Sequence, residues 1–236
     1  MTFLSRVALS VLALAVLAGC AKTTVTSRDY YEGGPIARPS RIIVHDFAAT
    51  PADVPASSAV AGQYAQPTTP QTSEETELGR KLGAQVAQEL VAEIQGMGLP
   101  GVRAQGQPAP FVGDIVIMGY FESVDSGSAA KRIVLGFGQG AADLKTVVEG
   151  YLMTDKGLRR LGSGTVESGT GKAPGVAVPL VMAAATGNPI GLIVSSAVKA
   201  EGQVSGRTTI EGTAKRTAKE IADQLRVAFQ KQGWIN

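Results

Sequence analysis

The chain contains a single cysteine, Cys20, and this residue constrains the fold more than any other sequence feature. It follows an apolar stretch, residues 7–17, which is preceded by a weakly cationic start formed by the α-amine and Arg6. This arrangement is typical of an export signal, and the stretch is too short to span a bilayer. Export leads to compartments that permit disulfides, but one cysteine cannot form an intramolecular bridge. The fold must therefore be stabilised by its hydrophobic core.

The four residues that end at Cys20 read LAGC and resemble the lipobox of bacterial lipoproteins at every position. The resemblance implies that residues 1–19 are removed as a signal peptide and that the Cys20 thiol carries lipid. Each buried methylene adds about 0.8 kcal/mol to membrane binding, so several acyl chains form a stable anchor. Ala21 replaces the aspartate that retains many lipoproteins in the inner membrane. We therefore expect the outer membrane, facing the periplasm, with the inner membrane as the alternative.

Composition limits what the remaining chain can do. The formal net charge of the full sequence is +2, so no basic excess points to nucleic acid. Aromatic residues make up only 5% of the chain, whereas glycine occurs 29 times. These values predict a core of Val, Ile, Leu and Ala with closely packed elements. We expect a flexible, disordered tether over residues 20–40 and a single globular domain over residues 41–236.

Hydrophobic periodicity predicts two amphipathic helices. The first begins at a capping box formed by Thr72 and Glu75 and ends at Gly96 and Gly98. The second lies near the C-terminus and is closed by Gly233, after which Trp234 is expected to fold back onto the core. The apolar positions of the first helix are Leu78, Leu82, Val86, Leu90 and Ile94, and those of the second are Ala218, Ile221, Ala222, Leu225, Ala228 and Phe229.

Strands are predicted from β-branched and aromatic runs over residues 41–47, 114–124 and 144–154. A turn at Asp155, Lys156 and Gly157 is expected to lead into a further strand over residues 158–168. Residues 50–72 lack periodicity, which predicts a functional or disordered surface loop. The sequence thus predicts an α/β (α+β) fold: a mixed sheet of about four to five strands, covered by a long helix from the N-terminal half and by C-terminal helices.

Several segments together resemble one known family. They are RIIVHDFA at residues 41–48, GSAAKRIVLGFGQGAADLKTVVEGY at residues 127–151, Pro174 with Gly175, and QGWI at residues 232–235. With the preceding lipobox, this set resembles the bacterial lipoproteins of the domain of unknown function 4410 family. The resemblance implies a periplasm-facing lipoprotein domain. It supplies no activity, ligand or catalytic residue.

His45 is the only histidine, and it lies beside Asp46 in the first predicted strand. A histidine and a carboxylate can form a general base with its orienting partner. Adjacent strand residues point to opposite faces, however, so these two side chains are not expected to pair. We interpret His45 as structural. The sequence also groups no set of metal ligands, and we expect no metal, no cofactor and no catalytic site.

A glycine-rich stretch, GFGQG, contains Gly136, Gly138 and Gly140 and follows Lys131 and Arg132. Its backbone N–H groups could bind a phosphate, although the spacing fits neither the dinucleotide fingerprint nor the phosphate loop. A turn, a bulge or close backbone packing is the favoured explanation. The two cationic residues could dock phosphate, lipid headgroups or a partner, or could form a solvated strand end.

Residues 173–198 carry no charged side chain, which superficially suggests a membrane span. Pro179, Asn188 and Pro189 divide the segment into two short apolar pieces. We expect these pieces to pack within the protein, with packing on a second copy or in lipid headgroups as alternatives.

The sequence supports three functional hypotheses. The first is an envelope-anchored lipoprotein with a non-catalytic binding or assembly domain, whose partner is another envelope protein or a second copy. The second is a periplasmic binder of small or phosphate-containing ligands that uses the loop containing Gly136, Gly138 and Gly140. The third is a hydrolase, which the sequence supports least because no catalytic set converges.

Overall fold

The described chain of this computed structural model comprises residues 22–29, 31, 33–62, 73–122, 144–169 and 210–236. Within it, one mixed sheet and two long helices form the α+β arrangement that the sequence predicts. The helices are α1 (Ser73–Gly96) and α2 (Ile210–Lys231). The strands are β1 (Lys22–Asp29), β2 (Ile42–Val44), β3 (Gly101–Arg103), β4 (Ile115–Glu122), β5 (Leu144–Thr154) and β6 (Gly157–Gly169).

The strand order across the sheet is β1-β6-β5-β4-β2-β3. The pairs between β1, β6, β5 and β4 are antiparallel, whereas β2 is parallel to both β4 and β3. The three residues of β2 are fully buried, as expected for a β-branched run inside a sheet. Helix α1 connects β2 to β3, which gives the crossover that parallel neighbours require.

Helix α1 buries the apolar stripe that its sequence predicts. Leu82, Val86, Leu90 and Ile94 are almost completely inaccessible, and Leu78 packs at the margin of the same core. The helix is followed by Gly98, whose φ of 77° is left-handed, and the Leu99 N–H donates to the Ile94 carbonyl. This ending is the glycine-capped form that satisfies the last carbonyl groups of a helix.

Helix α2 buries Ile221 and Phe229 together with a set of alanines. Gly233 follows it with a φ of 71°, and the chain turns back so that Trp234 packs against Phe229 with ring centroids 5.3 Å apart. The Trp234 indole N–H donates to the Ile36 carbonyl at 2.9 Å. The prediction that Trp234 folds onto the core is confirmed.

Both helices pack on the same side of the sheet, which we call the helical face, and they also pack against each other. The other side, the loop face, carries Val116, Met118 and Tyr151. Residues 51–62, the covering loop, contact this face through hydrogen bonds from Ser58 and Ala59. Part of the segment predicted as a functional or disordered loop is therefore packed on the sheet, and residues 63–72 lie outside the described chain.

The structure also differs from the sequence prediction at the N-terminus. Residues 22–29 fall within the expected tether but form β1, which pairs with β6 from Lys22 opposite Gly169 to Asp29 opposite Ser163. This stretch contains polar and β-branched residues, which can form an edge strand when they pair with β6. The short strand β3 was likewise not predicted, because three residues give no periodicity.

Candidate functional site

Four strand ends meet at one end of the sheet, which we call the upper end. Lys22 lies opposite Gly169, Leu144 opposite Ser168, and Glu122 opposite Lys145. The chain therefore leaves the sheet at the upper end and returns there for residues 123–143, which connect β4 to β5, and leaves it there again for residues 170–209, which connect β6 to α2. The start of β1, which follows Cys20 by two positions, lies at the same end.

The sequence-predicted site residues belong to the parts of the chain that depart from the upper end. They lie outside the described residues, and so does the apolar segment 173–198. The structure thus gives the strand ends that precede and follow these segments but not their side chains. The residues concerned are Cys20, Lys131, Arg132, Gly136, Gly138 and Gly140.

A cavity of about 220 Å³ lies on the helical face between the sheet and α2. Its floor is formed by β4, β5 and β6, and its roof is formed by one side of α2 from Ile221 to Lys231. These eleven helical residues rise about 16 Å, so the cavity extends along half of the helix. The apolar side chains that line it are Ile36, Ile115, Ile117, Val148, Leu161, Val166, Ile221, Leu225, Ala228, Phe229 and Trp234.

Glycines create the space beneath α2. Gly150 and Gly162 are cross-strand partners in β5 and β6, and Gly164 lies opposite Val148. All three line the cavity, and no atom lies within 4 Å of the position that a Cβ at Gly150 would occupy. Glycine in a strand interior weakens the strand and marks a place where something approaches the backbone closely. Here the glycines form a trough along the helical face.

Few of the residues that line the cavity are polar. Ser163 belongs to the β6 floor, Tyr31 precedes β2, and Gln224, Lys231 and Gln232 lie in α2 or directly after it. The Gln232 side-chain oxygen accepts a hydrogen bond of 2.7 Å from the Ile36 N–H, and this contact joins the end of α2 to the segment before β2. A mostly apolar lining with a few polar groups is the usual form of a small-ligand site.

The loop face holds a buried carboxylate. The Glu149 side chain accepts hydrogen bonds from the Ser58 hydroxyl at 2.6 Å and from the Tyr151 hydroxyl at 2.9 Å. The Ala59 N–H in turn donates to the Tyr151 oxygen at 2.7 Å. Burial, with the charge and hydrogen bond of Glu149, raises the pKa of Tyr151 above its ordinary value. These contacts attach the covering loop to the sheet, which is a structural role.

A second carboxylate, Asp114, is fully buried at the start of β4. It accepts hydrogen bonds from Arg41 (2.5 and 3.0 Å), the Ser40 hydroxyl (3.1 Å) and the Phe111 N–H (2.8 Å). Burial alone would raise the pKa of the Asp114 carboxyl, but these donors and the Arg41 charge outweigh it, so the pKa lies below its ordinary value of 3.8. The Arg41 guanidinium also stacks over the Phe111 ring.

His45 and Asp46 do not form a hydrogen-bonded pair with each other among the contacts of the described chain. The Asp46 carboxylate accepts from the Arg103 guanidinium on β3. Burial lowers the pKa of His45, and the nearby Asp46 charge opposes that shift. Both residues follow β2, which ends at Val44, so the strand is shorter than the one predicted over residues 41–47.

Within the described ranges, no three side chains of His, Cys, Asp or Glu converge as a metal site. Neither α1 nor α2 combines the length and hydrophobicity required to cross a membrane.

Sequence reasoning missed the cavity, although a signal for it exists. Gly162, Gly164 and Val166 alternate with more polar residues in β6, and Gly150 occupies the strand that pairs with it. Glycines at a spacing of two fall on one face of a strand, so they predict a depression in that face. The register that aligns Gly150 with Gly162 could not be read from the sequence, because a small bulge intervenes between Gly150 and Tyr151.

The chain has weak structural similarity to a protein of known structure. Two crystal forms of the PelC dodecamer from Paraburkholderia phytofirmans align with 66% and 64% of this chain and with 86% of the PelC chain in both cases. Sequence identities are 15% and 14%, with TM-scores of 0.32 and 0.30. At this level of similarity, the dodecameric state is a property of PelC alone.

No curated protein matches the sequence. A family model does match, and it covers residues 42–187, which include most of the sheet and α1. This range is more than half of the chain and contains residues 127–151, Pro174 with Gly175 and nearly all of RIIVHDFA, whereas QGWI at residues 232–235 lies beyond it. The chain belongs to the family described as Domain of unknown function (DUF4410).

Proposed function

We propose that this protein is an envelope lipoprotein, anchored to the outer membrane through lipid on Cys20 and facing the periplasm, whose domain acts by binding. The observation that carries the proposal is the pairing of β1 with β6, which fixes Lys22 at the upper end of the sheet. Two residues span at most about 7 Å, so Cys20 would lie close to that end. The upper end would then face the membrane.

The segments that depart from the upper end support this orientation. Lys131 and Arg132 belong to the segment that connects the upper ends of β4 and β5, and residues 173–198 belong to the segment that follows the upper end of β6. Anionic headgroups attract cationic side chains, and an interfacial position accommodates short apolar pieces. One end of the domain would thus carry the lipid, the positive charge and the uncharged segment.

The contacts made by three carboxylates of the described chain also support a binding role. Asp114 pairs with Arg41, Asp53 with Arg80, and Glu149 holds the covering loop. Each of these groups has a structural task, and none of the three lines the cavity beneath α2. We propose that the partner is another envelope protein or a second copy of this chain.

The anchor is tested by Cys20→Ser, exported through an ordinary cleavable signal, with Ala21→Ser as the matched control. We expect the Cys20→Ser protein to be soluble in the periplasm and the control to stay with the membrane, because acyl chains supply the binding free energy. Carbonate extraction of isolated membranes provides the measurement. A Cys20→Ser protein that still resists extraction would assign the attachment to another part of the chain.

The orientation is tested by energy transfer between a labelled side chain and acceptor dyes in the membrane surface. Lys145→Cys labels the upper end, and Lys156→Cys labels the turn between β5 and β6 at the opposite end. Lys145 lies opposite Glu167, and the ten strand residues between Glu167 and the turn rise about 33 Å, so transfer should be stronger from position 145 than from position 156. Equal efficiencies would show a freely tumbling domain on a flexible tether.

Assembly is tested by crosslinking in intact cells, followed by capture and mass measurement of the product. A defined second protein or a dimer mass is the expected result. A protein that remains a crosslink-free monomer at native expression would contradict the assembly part of the proposal and leave the anchor result unaffected.

The second hypothesis, a ligand binder, is supported at the cavity beneath α2 rather than at the glycine-rich loop. The loop containing Gly136, Gly138 and Gly140 lies outside the described residues, whereas the trough beneath α2 is a described cavity with an apolar interior. A ligand there would be apolar rather than phosphate-containing.

A further inference from the structure

We propose that the trough beneath α2 binds a single alkyl chain, either that of a free fatty acid or the tail of a membrane lipid. The site is built from described residues alone and does not depend on the lipid at Cys20. Its floor is the glycine trough of β5 and β6, and its roof is the buried side of α2.

The direction of the cavity favours a linear ligand. Its lining residues follow α2 from Ile221 to Lys231, about 16 Å of helix, with the sheet opposite them. A linear chain laid along this direction contacts both floor and roof.

The chemistry of the lining selects an apolar ligand. Most residues that line the trough are aliphatic residues, glycines or the aromatic Phe229 and Trp234. The polar residues of the lining are Ser163 in β6, Tyr31 before β2, and Gln224, Lys231 and Gln232 in α2 or directly after it. A ligand with an apolar chain and one polar end would place the chain against the apolar residues and the polar end near the end of α2.

A larger side chain at Gly150 would fill the trough without displacing neighbouring atoms. Because nothing lies within 4 Å of a Cβ at this position, a larger side chain enters the trough itself. Gly96 is the matched control, since a Cβ there also meets no atom within 4 Å but lies at the end of α1, away from the cavity. Gly150→Leu and Gly96→Leu thus make the same substitution with different consequences for the ligand.

The test uses the purified full-length protein and two photoactivatable probes. One is a long-chain fatty acid with a diazirine in its chain, and the other is a phosphatidylethanolamine with the same group in one acyl tail, presented in phosphatidylethanolamine and phosphatidylglycerol vesicles. We expect crosslinks on peptides of α2 and β6 from at least one probe. Labelling by the fatty acid alone identifies a free acid as the ligand, and labelling by the phospholipid alone identifies a membrane lipid.

Gly150→Leu should reduce the labelling of these peptides by about tenfold, because the leucine side chain takes the volume of several methylene groups. Its melting temperature should be equal to or above that of the wild type, since filling a cavity stabilises a fold. Gly96→Leu should label like the wild type. If Gly150→Leu does not fold, Ala228→Leu narrows the same trough from α2 and takes its place.

Two results would overturn the proposal. One is the absence of labelling on α2 and β6 with both probes. The other is unchanged labelling in a folded Gly150→Leu or Ala228→Leu variant, which would place the probe on the outer surface of the domain.

Discussion

Gly83→Ala is expected to destabilise the protein, although the same change in an ordinary helix is stabilising. Gly83 lies on the buried side of α1, directly over Phe47. A Cβ added at Gly83 would lie 2.0 Å from the Phe47 carbonyl oxygen, whereas ordinary contacts begin near 3.4 Å. The helix and the Phe47 backbone would have to separate by more than an ångström. That movement also stretches the hydrogen bond from the Phe47 N–H to the Gly83 carbonyl, which is already 3.3 Å.

The magnitude follows from three opposing effects. Overpacking costs about 1–3 kcal/mol, and a lost backbone hydrogen bond costs about 1 kcal/mol. Alanine improves the intrinsic helix propensity by about 1 kcal/mol. The net loss of unfolding free energy should be about 2 kcal/mol, which lowers the melting temperature of a domain of this size by about 4–8 °C.

Urea denaturation followed by circular dichroism measures the change, with Gly96→Ala as the control. Gly96 lies in the same helix with open space at its Cβ position, so alanine there should leave stability unchanged or raise it by less than about 1 kcal/mol. A lower unfolding free energy in Gly83→Ala, together with an unchanged or higher one in Gly96→Ala, would support the close approach of α1 to Phe47. A Gly83→Ala protein as stable as Gly96→Ala would refute it.

Two further predictions concern the buried carboxylates. Asp114→Asn should lower the unfolding free energy at pH 7 by about 3 kcal/mol, because it removes one partner of the pair with Arg41. The folded-state pKa of Asp114 is depressed, so its contribution to the unfolding free energy is complete well above pH 3.8 and is lost as the pH falls below that value. In urea titrations, the difference in unfolding free energy between wild type and Asp114→Asn should therefore shrink at low pH. Ser58→Ala should lower the unfolding free energy by about 2 kcal/mol and speed proteolysis of the covering loop, because Glu149 loses a buried donor. Ser57→Ala, at an exposed position of the same loop, is the control. Equal cleavage rates for the two variants would contradict the role of Ser58.

The elements with a clear hydrophobic period could be predicted from the sequence. The apolar residues of α1 repeat every four positions from Leu78 to Ile94, and the β5–β6 hairpin is marked by Gly157, whose φ of 105° suits a tight turn. In both cases the signal is local, so neighbouring residues suffice to specify the element.

The elements that depend on distant partners could not be predicted. The residues of β1 are mostly polar and form a strand only because β6 offers an edge, which the local sequence does not reveal. Ser58 appears in the sequence as part of a turn-rich loop, and its buried contact with Glu149 exists only after β5 joins the sheet. The cavity depends likewise on the register that sets Gly150 against Gly162.

The pairing of β1 with β6 has a consequence for the order in which the protein folds. These two strands are the first and last of the sheet along the chain, so their contact encloses β2, α1, β3, β4 and β5. Contacts between such distant segments form late, because the intervening chain must be ordered first. A polypeptide exported from its N-terminus would therefore present β1 unpaired until β6 has crossed the membrane. In the proposed lipoprotein, the residues beside Cys20 would thus stay accessible to modifying enzymes until the sheet closes.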